Sequence, residues 1–289
     1  MATIYKNYTL LFLSLIFLSS CEKTVSFQLN NAETKKLVVD GQIETGKTPI
    51  VFLTNAIGVT EPLNFNTVIN SIARGAIVEV SDANRTIQLI EQNNAYQVAP
   101  QDSSFVGVPG QVYKLKIQYL GKVYEASTKI PIVKSLDSMW AVKRPITTGP
   151  DSNEVNIFAR YTDPDTLGNF VRYFTKRNNE PFFTGRNSVY NDEVINGNGI
   201  DVRIERGYDK INDTSTNTFS NFIMGDTIQV KWCAIEKSVY NFWNTLEFST
   251  NSVGNPFSSP SAIMSNISNG ALGVWAGYGS SFKTIIVVK

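Results

Sequence analysis

Three stretches of the chain have residue types and spacings that could do chemistry. The first, Gly41-Gln42-Ile43-Glu44-Thr45-Gly46-Lys47-Thr48, matches G-x-x-x-x-G-K-[ST] at every fixed position. In a phosphate loop the backbone N–H groups cradle phosphate, the lysine reaches the outer phosphates and the hydroxyl holds magnesium. That geometry needs a helix after the loop, with its N-terminus facing the anion. Here Pro49 and the β-branched run Ile50-Val51-Phe52-Leu53 follow instead. Gly41, Gly46, Lys47 and Thr48 are therefore read as a chance match, Glu44 to Lys47 as a hairpin turn, and no cofactor is expected.

The second stretch, Asp163-Pro164-Asp165-Thr166-Leu167-Gly168-Asn169, opens like a calcium loop, with Asp163 and Asp165 two residues apart and a glycine after. Calcium wants six to eight oxygens. The later ligands of the loop are missing, and Glu154 and Asp192 contribute only if the fold delivers them. Asp-Pro and Gly-Asn are also turn formers. A turn is the preferred reading, with Asp163 and Asp165 the only metal candidates and no resident metal expected.

The third stretch is Leu18-Ser19-Ser20-Cys21. It follows Lys6 and a short apolar run from Tyr8 to Leu18. The run is too short to span a bilayer and has the build of a secretory signal. A cysteine directly after Leu-Ser-Ser marks a bacterial lipoprotein signal, cut before Cys21, which then carries the lipid. The expected mature protein starts at Cys21, lies outside the cytoplasm and is held to a membrane by acyl chains.

What the chain lacks is as informative. It has 289 residues, two cysteines and no histidine. Ser-His-Asp and Cys-His catalysis and His-containing zinc sites are excluded. With Cys21 lipidated, Cys233 has no partner within the chain for a disulfide. It lies in the alternating run Ile228 to Ala234 and is expected to be a buried, inert thiol. The formal net charge is +1, and Lys6 is the only charged residue of the first twenty, so the mature side chains balance. That charge distribution gives no footprint for nucleic acid.

The elements that must position these residues are mostly strands. Glu22 to Lys36 is polar, and residues 21–36 read as a lipidated tether after the 1–20 signal peptide. Short β-branched runs follow: Leu37-Val38-Val39, Ile50 to Leu53, Ala76 to Val80 and Thr86 to Ile90, separated by turn residues. Val112 to Tyr119 and Lys122 to Ala126 alternate around the tight turn Leu120-Gly121. This spacing predicts an Ig-like β-sandwich over 37–133, ended by Ile130-Pro131. Lys134 to Asn153 reads as a crossing segment. A second β-rich domain is expected over 134–289, with strands at Val155 to Tyr161, Phe170 to Phe174, Asp201 to Glu205, Thr227 to Ala234 and Thr284 to Val288. Val239, Phe242, Trp243 and Leu246 recur at helical spacing, which predicts one short amphipathic helix near 238–248 with Ser238 as its cap. The expected class is mainly β. Asn178 to Gly199 and Asn251 to Asn269 read as polar excursions. Tyr119, Trp140, Phe182-Phe183 and Trp275 are aromatics suited to stacking on sugars or packing on a partner.

Several of these pieces, in this order, resemble one family. They are Tyr113-x-Leu115-x-Ile117, Gly121, Tyr124-x-Ala126-x-Thr128 and Ile130-Pro131, then Asp163 to Tyr173. Gly225-Asp226, Tyr240-x-x-Trp243, Asn255-Pro256-Phe257, Asn266-Ile267 and Gly270-x-Leu272-Gly273 complete the set. The family is that of the Bacteroidota outer-membrane lipoproteins with the domain of unknown function 4249. The resemblance covers nearly the whole mature chain. It implies a neighbourhood with TonB-dependent receptors and carries over no catalytic residue. One departure concerns Cys21-Glu22-Lys23-Thr24: it has a single acid after the lipid cysteine, where surface-export signals are often more acidic, so both membrane faces stay open. Exported Bacteroidota proteins also carry O-glycans on Asp, then a hydroxyl residue, then an apolar one. Asp137-Ser138-Met139, Asp165-Thr166-Leu167 and Asp226-Thr227-Ile228 have this form, which makes Ser138, Thr166 and Thr227 candidate glycosylation sites.

The functional expectation is an outer-membrane-anchored lipoprotein acting as a non-catalytic binding or accessory subunit. Its expected partner is a TonB-dependent transporter or another envelope assembly. The alternatives are a carboxylate-dependent glycan-acting enzyme, which needs two acids about 5–10 Å apart in a cleft, and a structural adhesin.

Overall fold

A computed structural model describes residues 36–58, 61–145, 153–193, 196–209, 221–253 and 262–288. The protein is mainly β. Strands β1 (Leu37–Glu44), β2 (Ile50–Asn55), β3 (Ile77–Ser81), β4 (Thr86–Gln92), β5 (Ala95–Val98), β6 (Val112–Tyr119) and β7 (Lys122–Lys129) come first. They are hydrogen-bonded in the order β1-β2-β5-β4-β3-β6-β7. Alternation puts Val78, Val80, Tyr113, Leu115 and Ile117 on one face, where they form a single core with Val39, Leu53 and Leu89. A short helix, α1 (Phe65–Ser71), interrupts this series. Its Asn64 cap accepts from Thr67 N at 3.0 Å. No apolar periodicity announces α1, because none of its residues is buried.

The remaining strands are β8 (Ser138–Lys143), β9 (Glu154–Thr162), β10 (Phe170–Arg177), β11 (Val189–Asn191), β12 (Gly199–Ile204), β13 (Phe222–Ile223), β14 (Thr227–Ile235) and β15 (Leu272–Ile286). β12, β9 and β13 form a small sheet, with β8 also paired to β9. β8 corrects the sequence reading, which had Lys134 to Asn153 as a crossing segment. Its Trp140 stacks on Phe158 of β9, with ring centroids 6.0 Å apart. The small sheet faces β10 and β14 across a core of Ile157, Tyr161, Tyr173, Ile228, Val230 and Trp232. The opposite face of β10 and β14 is covered by α2 (Lys237–Asn251), which buries Val239 and Phe242. The helix lies where its apolar stripe predicts. Its cap does not: Glu236 occupies that position, and its carboxylate accepts from Lys129 N at 2.7 Å.

β15 joins the two halves. Leu272 to Tyr278 runs parallel to β1, and Gly279 to Ile286 runs antiparallel to β14. The sequence reading saw only the end of this strand, Thr284 to Val288. The glycines explain the long path. A Cβ on Gly277 would lie 2.4 Å from Lys129 O, and one on Gly279 would lie 1.9 Å from Pro131 O. Only glycine lets the segment after β7 cross β15 so closely. Thr128 Oγ1 also accepts from Gly277 N at 2.9 Å. The C-terminal strand of the predicted 134–289 segment thus extends the sheet of the 37–133 segment.

Candidate functional site

A cleft of about 720 Å³ opens where the β1–β2 hairpin meets β14. Glu44, Lys47, Thr48, Gln97, Phe182 and Lys231 line it. Alternation along β14 decides what reaches it: Val230 and Trp232 go to the core, so Lys231 points out of the opposite face. Lys231 Nζ is 3.1 Å from Glu44 Oε2 and 4.2 Å from the Phe174 ring centroid. Lys47 Nζ, from the hairpin turn, is 3.0 Å from Glu44 Oε1. One buried carboxylate therefore bridges two ammonium groups. Burial alone would raise the Glu44 carboxyl, but Lys231 and Lys47 outweigh it and hold it below the usual range. Phe182 closes one side, packed on Phe282 at 5.9 Å.

The phosphate-loop match supplies part of this wall, by a different geometry. Gly41 lies within β1, beneath Trp275, whose ring would be 2.8 Å from an added Cβ. Gly46 has φ +72° in the turn, and Lys47 N donates to Glu44 O at 2.9 Å. β2 follows where a phosphate loop needs a helix.

A buried polar network lies on the same face as Lys231. Arg172 is 6% exposed. Its Nη1 donates to Tyr278 Oη at 2.9 Å and its Nε to Ser188 Oγ at 3.2 Å. Its guanidinium stacks 3.4 Å from the Trp243 ring centroid, and Trp243 Nε1 donates to Tyr278 Oη at 3.0 Å. Ser188 N donates to Glu247 Oε2 at 2.8 Å, and the Ser188 hydroxyl donates to Glu247 Oε1. Glu247 thus answers the Arg172 charge through Ser188. The pair Ser188–Glu247 resembles an activated hydroxyl, but Ser188 is fully enclosed and no substrate can reach it. Sequence reasoning missed this network. Arg172 interrupts the apolar run Phe170 to Phe174, which is the one signal it offers.

The acids of the calcium-like stretch are drawn together only in part. Asp163 and Asp192 are both buried. Asp192 Oδ2 accepts from Gly168 N at 2.8 Å, Asn169 N at 2.9 Å and Asn169 Nδ2 at 3.1 Å. It closes the 163–169 turn on itself. Asp165 is exposed, with its Oδ1 against Gly197. Glu154 starts the strand that Thr162 ends, and it pairs with Arg144. Along β9 that is about 30 Å from Asp163. Among the described residues no three His, Cys, Asp or Glu side chains converge as metal ligands. Burial raises the Asp163 carboxyl above its usual range, and nearby Asp192 adds to the shift. A smaller cleft of about 260 Å³ lies beside this turn, between Lys134, Tyr161, Asn169 and Glu236.

A family model described as a domain of unknown function, DUF4249, matches residues 22–284. The chain belongs to the DUF4249 family. No curated protein matches it.

The DUF4249 match takes in both the cleft and the buried network. Cys21, the 1–20 signal and residues 21–35 lie outside the described residues, as do 254–261 of the Asn251 to Asn269 excursion. The rest of that excursion is tied down: Asn266 Nδ2 donates to Trp275 O at 2.8 Å, and its Oδ1 accepts from Trp275 N at 2.9 Å. The Asn178 to Gly199 excursion returns to β10 as β11, and Ser188 and Val189 are buried. Ser138, Thr166 and Thr227 are all exposed. Trp275 is buried, and its Nε1 donates to Tyr113 O at 3.0 Å. Cys233 is buried, with its Sγ 3.3 Å from Ser280 Oγ, and desolvation pushes its thiol up to about 11. Among the described residues no helix is long and apolar enough to cross a membrane.

Proposed function

We propose that this DUF4249 protein is an outer-membrane lipoprotein, anchored through Cys21, that acts as a non-catalytic binding or accessory subunit of a TonB-dependent transporter or another envelope assembly. The cleft at Lys47, Lys231, Glu44 and Phe182 carries the reading. Glu44 holds Lys47 and Lys231 together and balances one of their two charges, and Phe182 offers an aromatic surface beside them. Such a site suits non-covalent recognition, with an aromatic anchor and a polar rim. Cys233 and Ser188 carry nucleophilic atoms on the same face, but both are buried. The Leu18-Ser19-Ser20-Cys21 signal supports the anchor. The exposed hydroxyls of Ser138, Thr166 and Thr227 are available to O-glycans.

The test is an affinity pull-down of the tagged protein from native outer membranes, followed by mass spectrometry. The expected result is a stoichiometric TonB-dependent receptor, lost with Phe182→Ala. Substitution is the right tool here, because deleting the excursion would remove the buried Ser188 and Val189. Recovery of the protein alone would overturn the accessory reading.

A further inference from the structure

The described chain begins at Lys36, at the start of β1. Lys36 O accepts from Ala56 N at 2.9 Å, and Leu37 faces Asn55 across the ladder. Asn55 Nδ2 reaches Ser71 O at 3.4 Å and Tyr119 Oη at 3.3 Å. The chain start, α1 and the β6–β7 turn therefore share this end of the molecule.

Three large apolar side chains stand out there: Leu63 at 78%, Phe65 at 78% and Leu120 at 82% exposed, with Val68 and Ile69 of α1 also exposed. Two features mark them as more than incidental surface. α1 is held by its backbone and by Asn55, yet buries none of its own residues. An apolar helix face with nothing under it gains no packing energy from this fold. Leu120 has φ +47° in a two-residue turn with Gly121, a conformation that favours Asn, Asp or Gly. A leucine there has neither backbone ease nor a buried contact.

We infer that this end lies on the lipid surface, with Leu63, Phe65 and Leu120 immersed at the headgroup boundary. The inference rests on acylation at Cys21. From Cys21 to Lys36 the chain spans fifteen residues, about 50 Å at full extension. Acyl chains at Cys21 would hold Lys36 within that reach of the bilayer, and the apolar side chains at the same end are the part of the described chain nearest the tether. Large apolar side chains exposed together at one end of a molecule suit contact with a membrane surface.

The test uses full-length acylated protein carrying Phe65→Cys or Leu120→Cys, each labelled with an environment-sensitive fluorophore. Leu167→Cys, at an exposed turn of the second half, is the control. Cys233 is buried and does not compete for label. Proteins are reconstituted into protein-free vesicles of phosphatidylethanolamine and phosphatidylglycerol, and the Cys21 peptide is analysed by mass spectrometry. The expected result is an acylated Cys21, with blue-shifted, brightened emission at 65 and 120 and none at 167. An acylated protein whose labels at 65 and 120 match the control overturns the inference and leaves the anchor standing. A Cys21 peptide without acyl chains overturns both. Brightening in native outer membranes but not in lipid vesicles overturns the inference and assigns the face to a protein partner.

Discussion

The two halves of this molecule bury different chemistry. The core built from β1 to β7 is apolar: Val78, Val80, Leu115 and Ile117 pack on Leu53 and Leu89, and the polar groups it takes in are few. The half built from β9 to β14 and α2 buries Arg172, Ser188, Lys231, Glu247, Asp163, Asp192 and Asp226. Burying apolar area is non-directional and tolerates exchange between side chains of similar size. A buried charge must keep its particular partners, because the low-dielectric surroundings make an unpaired one costly. The first half is thus built to be stable under many conditions. The second is sensitive to single atoms and to protonation, and Lys231 places one edge of it in the open cleft.

The sharpest way to break this comparison is to make a similar substitution in each half. Arg172→Met keeps length and apolar stem but strips Ser188 and Tyr278 of their shared donor and leaves the buried Glu247 without the charge it answers through Ser188. It is expected to cost about 3–5 kcal/mol, the usual penalty for leaving a buried charge without its partner. Leu115→Met, at a fully buried site in the first core, is expected to cost less than about 1.5 kcal/mol. Adding Glu247→Gln to Arg172→Met should recover part of the loss, because the two positions belong to one network. Urea unfolding of the four proteins measures all of this. Equal costs at 172 and 115 would refute the contrast.

A smaller effect separates two carboxylates, one from each half. Glu44 is held below its ordinary value, so its contribution to stability is full above the unfolded value near 4.3 and is lost as pH falls through the folded value. Asp163 is shifted the other way by burial. Its native form binds the proton more tightly than the unfolded chain does. Its contribution is therefore full below the unfolded value near 3.9 and is lost as pH rises through the folded value. Acidification from pH 7 toward 3 should shrink the stability advantage of the natural protein over Glu44→Gln. Over the same range the natural protein should gain on Asp163→Asn. Melting temperatures across that range give both slopes, and slopes of the same sign would contradict the assignment.

The contrast also explains what was legible in the sequence. β6, β7 and the Leu120-Gly121 turn follow from alternation, because one face of each strand is apolar. β14 reads as a strand for the same reason, and the α2 stripe is continuous. β15 hid its length because Gly273 to Tyr278 is buried on both faces, which erases the period of two. α1 hid because nothing in it is buried. The network of Arg172, Ser188, Glu247 and Tyr278 spans 106 residues between Arg172 and Tyr278. Each member carries a residue type common on surfaces, so only the fold brings out their meaning. Lys47 and Thr48 drew attention through a motif whose helix is absent, and their place in the cleft wall comes from Lys231, which no local pattern joins to them.

The smallest expected effect concerns Cys233, whose position tests how tightly the second half is closed. It lies opposite Arg172 on β10 and Ser280 on β15, and α2 packs over it. Thiolate is the reactive form, and a thiol pushed up to about 11 by burial holds very little of it at neutral pH. In the native Cys21→Ser protein, Cys233 should therefore resist alkylation at pH 7 and react fully once urea unfolds the chain. Arg172→Met should raise the native reaction rate, because the face that covers Cys233 then opens more often, whereas Leu115→Met should leave that rate close to its natural value. Rapid labelling of the unaltered native chain would mean that α2 separates from β14 far more readily than the packing of Val239 and Phe242 implies. A rate that rises equally in both variants would instead show that the apolar half and the polar half unfold as one cooperative unit, joined through β15.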